Sequence, residues 1–233
     1  MPSPCYFWLL CLEGGTWTEL LINYDYIIEY IRDTIKANTG LLAELEKYAA
    51  LNHVPIIQPE VAALMKVIGQ MKQPSRILEV GTAIGYSAIL FSEFLNRDGI
   101  IDTIERNEEM IELARKNIKS VGKQNTINVI AGDALDVLAC LDKRYDMIFI
   151  DAAKGQYNEF FEQCKRMLVP GGLLVSDNVL YKGMIASEEL VVRRKRTIVA
   201  RMRDFLKTLC EDEGFETSII PIGDGVALSY KKG

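Results

Sequence analysis

Three stretches of this chain hold residues whose types and spacing suit chemistry better than packing. The first is a glycine-rich turn, Leu78-Glu79-Val80-Gly81-Thr82-Ala83-Ile84-Gly85-Tyr86-Ser87. The others are Asp151-Ala152-Ala153-Lys154 and Asp177-Asn178, each closing an apolar run that reads as a buried strand. A glycine turn at a strand end lets backbone approach a nucleotide-like ligand. Asp151, Asp177 and Asn178 offer hard oxygen ligands beside it, the donor set that suits Mg²⁺ or Mn²⁺. Two more carboxylates follow the pattern. Glu105 ends the next apolar run, where it can accept both ribose hydroxyls of a nucleoside, and Asp133, in Gly132-Asp133-Ala134, can take an exocyclic amine. Each acid alone reads as a helix N-cap. Their order and spacing favour a ligand.

The elements that must position these residues are legible from the apolar periodicity. Helical patterns cover about 26–35, 41–52 and 59–71, the last with Pro59 in its first turn, and Lys72-Gln73-Pro74 breaks the series. From Arg76 short apolar strands alternate with helices. The strands fall at 76–80, 100–104, 127–131, 147–150 and 173–176, and two more at 216–220 and 225–230 flank a Gly223-Asp224-Gly225 turn. Helices are expected at 85–95, 107–120, 135–141, 157–168 and 188–211. This is a doubly wound α/β sheet of seven strands, mostly parallel, with an antiparallel edge strand and an N-terminal helical cap. Ligands in such sheets lie beyond the carboxyl ends of the strands, where every motif above falls.

Composition narrows the field. At 233 residues, 49% hydrophobic and 25% charged, the chain makes one α/β domain with a full core. The expected organisation is an N-terminal extension over 1–22 and one domain over 23–233, with the cap at 23–73 and the sheet core at 74–233. The net charge of −5 argues against non-specific coating of nucleic acid and leaves room for a local basic patch. His53 is the only histidine, which leaves no ordinary triad or zinc site, so it reads as a surface or helix-end residue. The five cysteines, Cys5, Cys11, Cys140, Cys164 and Cys210, have no knuckle or redox spacing and imply free thiols in a reducing cytoplasm. Tyr6 to Leu12 is apolar but too short to span a bilayer, so no membrane role is expected. The cap helices suit a pocket lid or a dimer contact, and a homodimer is the expected assembly.

Taken together, Glu79-Val80-Gly81-Thr82-Ala83-Ile84-Gly85-Tyr86-Ser87, Glu105, Gly132-Asp133-Ala134, Asp151-Ala152-Ala153-Lys154 and Asp177-Asn178 resemble the cation-dependent O-methyltransferases that include catechol and caffeoyl-CoA methyltransferases. The resemblance spans about residues 24–232. It implies a Rossmann-like class I methyltransferase fold and S-adenosylmethionine (SAM) as cofactor. By that likeness Glu105 holds the ribose, Asp133 and Ala134 flank the adenine, Gly81 and Ser87 line the methionine end, Glu79 joins the cofactor set and Ile57 closes over it. It further implies a cation held by Asp151, Asp177 and Asn178, with Asp151 close to the sulfonium. Lys154, one helical turn beyond Asp151, is placed as the general base. A bound cation lowers the pKa of a coordinated hydroxyl and fixes it for in-line attack, and it chelates best when the acceptor offers two adjacent oxygens.

Two acceptors meet that demand. Asp151 to Tyr157, Asp177 to Gly183 and the ending Pro221 to Ser229 resemble the bacterial branch that methylates 5-hydroxyuridine at the tRNA wobble position, whose 5-hydroxyl and O4 are vicinal. Lys182, Arg193, Arg194 and Arg196, with Lys195, Arg201 and Arg203, would then hold phosphates of the anticodon stem-loop. Alone, that charge run reads as a solvated helix face. The alternative acceptor is a small catechol or other vicinal diphenol. A nucleotide-binding or scaffold protein with a degenerate site is a third possibility, disfavoured by the presence of both metal acids and Lys154.

Overall fold

Period-two alternation of apolar side chains along each strand buries both faces of the sheet, and each face carries its own core. In the computed structural model, which describes residues 22–233, β1 (Arg76–Val80) sends Ile77 to one core and Leu78 and Val80 to the other. β4 (Tyr145–Ile150) splits in the same way, Met147 and Phe149 against Ile148 and Ile150. Strands buried on both faces belong to a sheet covered by helices on both sides.

The remaining strands are β2 (Ile100–Glu105), β3 (Ile127–Ala131), β5 (Leu168–Ser176), β6 (Phe215–Ile220) and β7 (Val226–Lys231). Their order in the seven-stranded sheet is β3-β2-β1-β4-β5-β7-β6, parallel through β5, with β7 antiparallel to both neighbours. Strand order reverses between β1 and β4, so their carboxyl ends open the crevice where such sheets take ligands. The cap consists of α1 (Asp25–Thr34), α2 (Gly40–Asn52) and α3 (Pro59–Lys72). α4 (Tyr86–Phe91) and α5 (Glu108–Ser120) share the α2–α3 core. α6 (Ala134–Cys140), α7 (Tyr157–Met167) and α8 (Arg196–Glu211) pack on the other face.

α1 buries no residue and is moored by polar contacts. The Arg32 guanidinium donates to both oxygens of buried Glu60 at 2.8 and 3.0 Å, and Asn23 Nδ2 donates to the Pro221 carbonyl. His53 is the exposed, left-handed C-cap of α2. Cys140, Cys164 and Cys210 are free. Cys5, Cys11 and the expected extension, except residue 22, lie outside the described residues. Among the described residues no helix is long and apolar enough to cross a membrane.

Three expected boundaries shift by four residues or more. α4 ends at Phe91 rather than 95, because Ser92 caps it and turns follow. β5 begins at Leu168 rather than 173: Leu168 pairs Tyr145 and Leu173 pairs Met147, so Val169 to Gly172 bulge out between two rungs. α8 begins at Arg196 rather than 188. Extended Val192 and a 3₁₀ turn over Arg193–Lys195 precede it, and the β-branched pair Val191-Val192 disfavours helix there.

Candidate active site

Four site residues extend the sheet by one further rung at its carboxyl edge. The amide of Gly81 donates to the Ile104 carbonyl at 3.1 Å, Gly132 to Glu105 at 2.9 Å, Asp151 to Val80 at 2.9 Å and Asp177 to Ile150 at 2.9 Å. The sheet's own hydrogen-bonding therefore sets the spacing of the glycine turn and the acids. Gly81 has φ +107°, and a Cβ there would lie 2.1 Å from the Asp151 carbonyl oxygen, so only glycine lets β1 end beside β4. Asp133 caps α6 by accepting the Leu135 amide at 3.0 Å, and its other oxygen pairs with Arg106 at 3.6 Å. Glu105 is fixed by three backbone amides, those of Ala83, Arg106 and Asn107, each at 2.9 Å.

Around this edge lies a cavity of about 470 Å³. Its wall brings together Ile57, Gly81, Ser87, Glu105, Asp133, Ala134, Asp151, Lys154 and Asn178, nine of the residues singled out from sequence. Ile57 is buried as it lines the cavity. Glu79 and Asp177 stand behind the wall, both almost wholly inaccessible. Lys182, Arg193, Arg194 and Arg196 lie outside the cavity and are exposed. Arg201 and Arg203 have partners within the chain. Arg201 donates to the Gly155 carbonyl at 3.0 Å, and Arg203 donates to the carbonyls of Met184 and Ile185 and pairs with Glu188. These arginines tie α8 to the loops flanking the acids.

The electrostatics of the acids are unusual for a sheet edge. Asp177 is pushed up to about 7, chiefly by burial and then by the negative charge of Asp151; the Asn178 amide, donating at 2.7 Å, and Lys154 oppose the rise. Burial also raises Asp151, against the pull of Lys154. Lys154 Nζ donates to Asn178 Oδ1 at 3.1 Å. Asn178 holds a left-handed φ of 56°, a region asparagine tolerates better than most residues. Buried Asp177, whose charge is disfavoured by half-buried Asp151 beside it, forms with Asp151 and Asn178 a donor set a dication would neutralise, so the residues present fit one. Among the described residues no three His, Cys, Asp or Glu side chains gather as a metal site; this set has two carboxylates and an amide.

Glu79 is a further buried acid, lifted to about 7 by burial. Thr103 donates to its Oε2. Ser87 lies near enough to ease its charge, yet Oε1 has no well-formed hydrogen bond. An unpaired buried acceptor beneath the cavity floor suits a ligand carrying a cationic or amine group.

Sequence reasoning missed three further residues of the cavity lining, Gln156 and Phe160, four apart in the chain, and Arg106. Phe160 carries only the apolar signal of a core position. Asp224 was read as part of a turn, yet its charge is felt by Asp177 and Tyr157. Its position between two glycines at a hairpin tip was the available hint.

A reversed strand order with acids and a glycine turn at the switch point defines a Rossmann-like methyltransferase fold. The O-methyltransferase family model matches residues 33–232. The chain is 33% identical over 166 residues to a catechol O-methyltransferase of Niastella koreensis, covering 70% of this chain and 73% of that one. It is 31% identical over 193 residues to a caffeoyl-CoA O-methyltransferase of Populus kitakamiensis, covering 80% and 82%. An O-methyltransferase of Bacillus cereus, solved in complex with SAH, superposes with a TM-score of 0.78 at 25% identity over 89% of this chain and 97% of that one. The chain belongs to the O-methyltransferase family, enzymes of the SAM-dependent class.

Proposed function

We propose that this enzyme transfers the methyl group of SAM to one hydroxyl of a vicinal oxygen pair chelated to Mg²⁺ or Mn²⁺, the acceptor being a catechol or similar diphenol. The observation that carries the reading is a single cavity whose wall runs from Glu105 and Asp133 at one end to Asp151, Lys154 and Asn178 at the other. The names of two relatives, a catechol and a caffeoyl-CoA methyltransferase, favour a phenolic acceptor.

SAM supplies the electrophilic methyl group when bound. Glu105 is held by backbone amides in a fixed pose for the ribose hydroxyls, and Asp133 and Ala134 flank the place for the adenine. Gly81 and Ser87 line the methionine end, above the unpaired Oε1 of Glu79. A cation held by Asp151, Asp177 and Asn178 would acidify a coordinated hydroxyl. Lys154 Nζ, bonded to Asn178 Oδ1, stands where it can take the remaining proton of that hydroxyl. Ile57, buried in the cavity wall, would cover the methionine end and keep water from it.

One observation favours a second acceptor, 5-hydroxyuridine at the tRNA wobble position, whose 5-hydroxyl and O4 offer the same chelating pair. Arg193, Arg194 and Arg196 are exposed, and their side chains form no ion pair with a carboxylate among the described residues. With Lys182 and Lys195 they make a basic patch beside the loop that follows Asn178, suited to a stem-loop backbone.

Both readings meet in one assay: labelled methyl transfer to catechol and to tRNA bearing 5-hydroxyuridine, with Mg²⁺ or with excess chelator. Turnover of catechol that chelator abolishes supports the proposal; full turnover in chelator removes the cation from it. An Arg193/Arg194/Arg196→Ala variant that loses tRNA methylation and keeps catechol methylation identifies RNA as the acceptor. Lys154→Ala should lower kcat about 100-fold and leave the KM for SAM within twofold, as expected of a proton acceptor. An unchanged kcat across pH excludes Lys154 as the base.

A further inference from the structure

The segment following Asn178 is held in a conformation that its own residues disfavour. Asn178, Tyr181 and Lys182 all have left-handed backbones, with φ of 56°, 46° and 55°. Each non-glycine residue in that region costs roughly 1 kcal/mol or more, so an outside contact must hold them. The β6–β7 turn supplies it. The Val179 amide donates to the Gly225 carbonyl at 2.9 Å and the Leu180 amide to the Asp224 carbonyl at 3.0 Å. The Lys182 amide donates to the Asp224 carboxylate. The turn is wedged in place: a Cβ on Gly225 would lie 2.4 Å from Leu180, and one on Gly223 would lie 2.7 Å from Val61 and 3.2 Å from Gln58 Oε1. Gln58 itself lines the cofactor cavity. So held, the segment presents the Tyr181 ring to two ammonium groups, Lys154 at 5.9 Å and Lys195 at 5.5 Å from its centroid.

We propose that Asp224 is a positioning residue for the acceptor, acting as a hydrogen-bond acceptor that fixes the 179–182 segment against the Asp151-Asp177-Asn178 site. The inference rests on the reading that this site receives the acceptor oxygens. Asp224 touches neither SAM nor the acceptor in this role. In this role the oxygen that accepts the Lys182 amide does the holding, and the charge that Asp177 feels is a separate effect.

Asp224→Asn keeps an oxygen for the Lys182 amide, whereas Asp224→Ala removes it. With catechol and Mg²⁺, Asp224→Ala should raise the acceptor KM about tenfold and leave the KM for SAM within twofold, and Asp224→Asn should stay within threefold of wild type on both. Equal loss in both variants would assign the effect to charge and overturn the proposal, as would wild-type kinetics in the alanine variant or an equal rise in both KM values. Hydrogen–deuterium exchange on the protein without ligands gives a readout free of activity. Amides 179–182 should lose protection in Asp224→Ala and keep it in Asp224→Asn, with the 81–87 turn unchanged. Unaltered exchange at 179–182 in the alanine variant also overturns the proposal. If wild type methylates no vicinal acceptor, the function reading fails, and the exchange data still decide whether Asp224 holds the segment.

Discussion

Asp102 and Asp177 are both buried aspartates on the same sheet, and they are treated in opposite ways. Asp102, in the middle of β2, accepts from Lys143 Nζ at 2.8 and 3.1 Å, from Asn128 at 2.9 Å and from the Tyr145 hydroxyl at 2.8 Å. Burial alone would raise its pKa, and these partners outweigh burial and hold it below the ordinary range. Asp177, one residue past the end of β5, accepts the Asn178 amide, faces the charge of Asp151 and is raised to about 7. The first acid is matched within the chain. The second is left for something the chain does not supply, and unmatched buried charge marks the functional edge better than burial does.

The sharpest way to break that contrast is to neutralise Asp177. Asp177→Asn should lower cation-dependent methyl transfer at least 1000-fold, or about 4 kcal/mol. In chelator the same variant should melt above wild type at pH 8. The sign follows from linkage: a carboxyl whose folded pKa is raised costs stability as pH climbs from the unfolded value of 3.8 through the folded value of about 7, and asparagine removes the burden. At about pH 3, below the unfolded value of 3.8, the acid is largely protonated in both states and the gain should nearly vanish. Thermal melts at the two pH values check this, and a variant less stable than wild type at pH 8 would place Asp177 with Asp102.

Asp102→Asn should behave in reverse. It strands Lys143 and the Tyr145 hydroxyl, and breaking a buried ion pair costs about 3–5 kcal/mol. Because Lys143 is 40% exposed, a loss of about 2–3 kcal/mol is expected, seen as a fall in Tm of about 5–10 °C. The folded fraction should keep its kcat and both KM values. A large change in kcat would show that the network reaches the site.

How much of this was legible beforehand follows the same division. The strand-and-helix alternation and the strand ends were readable because period-two burial on both faces writes itself into the chain: the Ile77/Leu78 and Met147/Ile148 splits are local. The acids at the strand ends were readable for the same reason, since a polar residue closing an apolar run stands out. What escaped depends on contacts distant in sequence. Arg201 and Arg203 look like free charge next to Arg193 and Arg196 until the fold brings them to the carbonyls of Gly155, Met184 and Ile185. The early start of β5 is hidden by Pro170-Gly171-Gly172, residue types that weaken a strand signal and here form a bulge within the strand. Asp224 lies 47 residues after Asp177 by numbering. Only the antiparallel pairing of β7 with β5 brings it close.

Glu79 stands between the two aspartates and offers the finest test. One oxygen accepts from Thr103, which in turn shares its hydroxyl with Thr82; the other oxygen is unpaired. Its pKa rises from 4.5 to about 7, less than full burial would dictate, because Ser87 and Thr103 both lower it. A rise of that size corresponds to about 3 kcal/mol as an upper figure. Working the sign through, the folded state binds the proton more tightly than the unfolded chain, so stability is greatest below pH 4.5, declines through the interval to about 7 and is flat above. Glu79→Gln does not titrate. In protein free of cofactor, the stability of the variant relative to wild type should therefore climb by up to about 3 kcal/mol between pH 4.5 and 7.5, read from denaturant titrations at several pH values. If Oε1 is instead satisfied in solution, the difference will be flat with pH, and Glu79 will belong with Asp102. Adding the cofactor distinguishes the remaining cases. Should SAM carry its own positive group to that oxygen, binding ought to favour the ionised acid, and the affinity of wild type for SAM should rise with pH across the interval where that of Glu79→Gln does not.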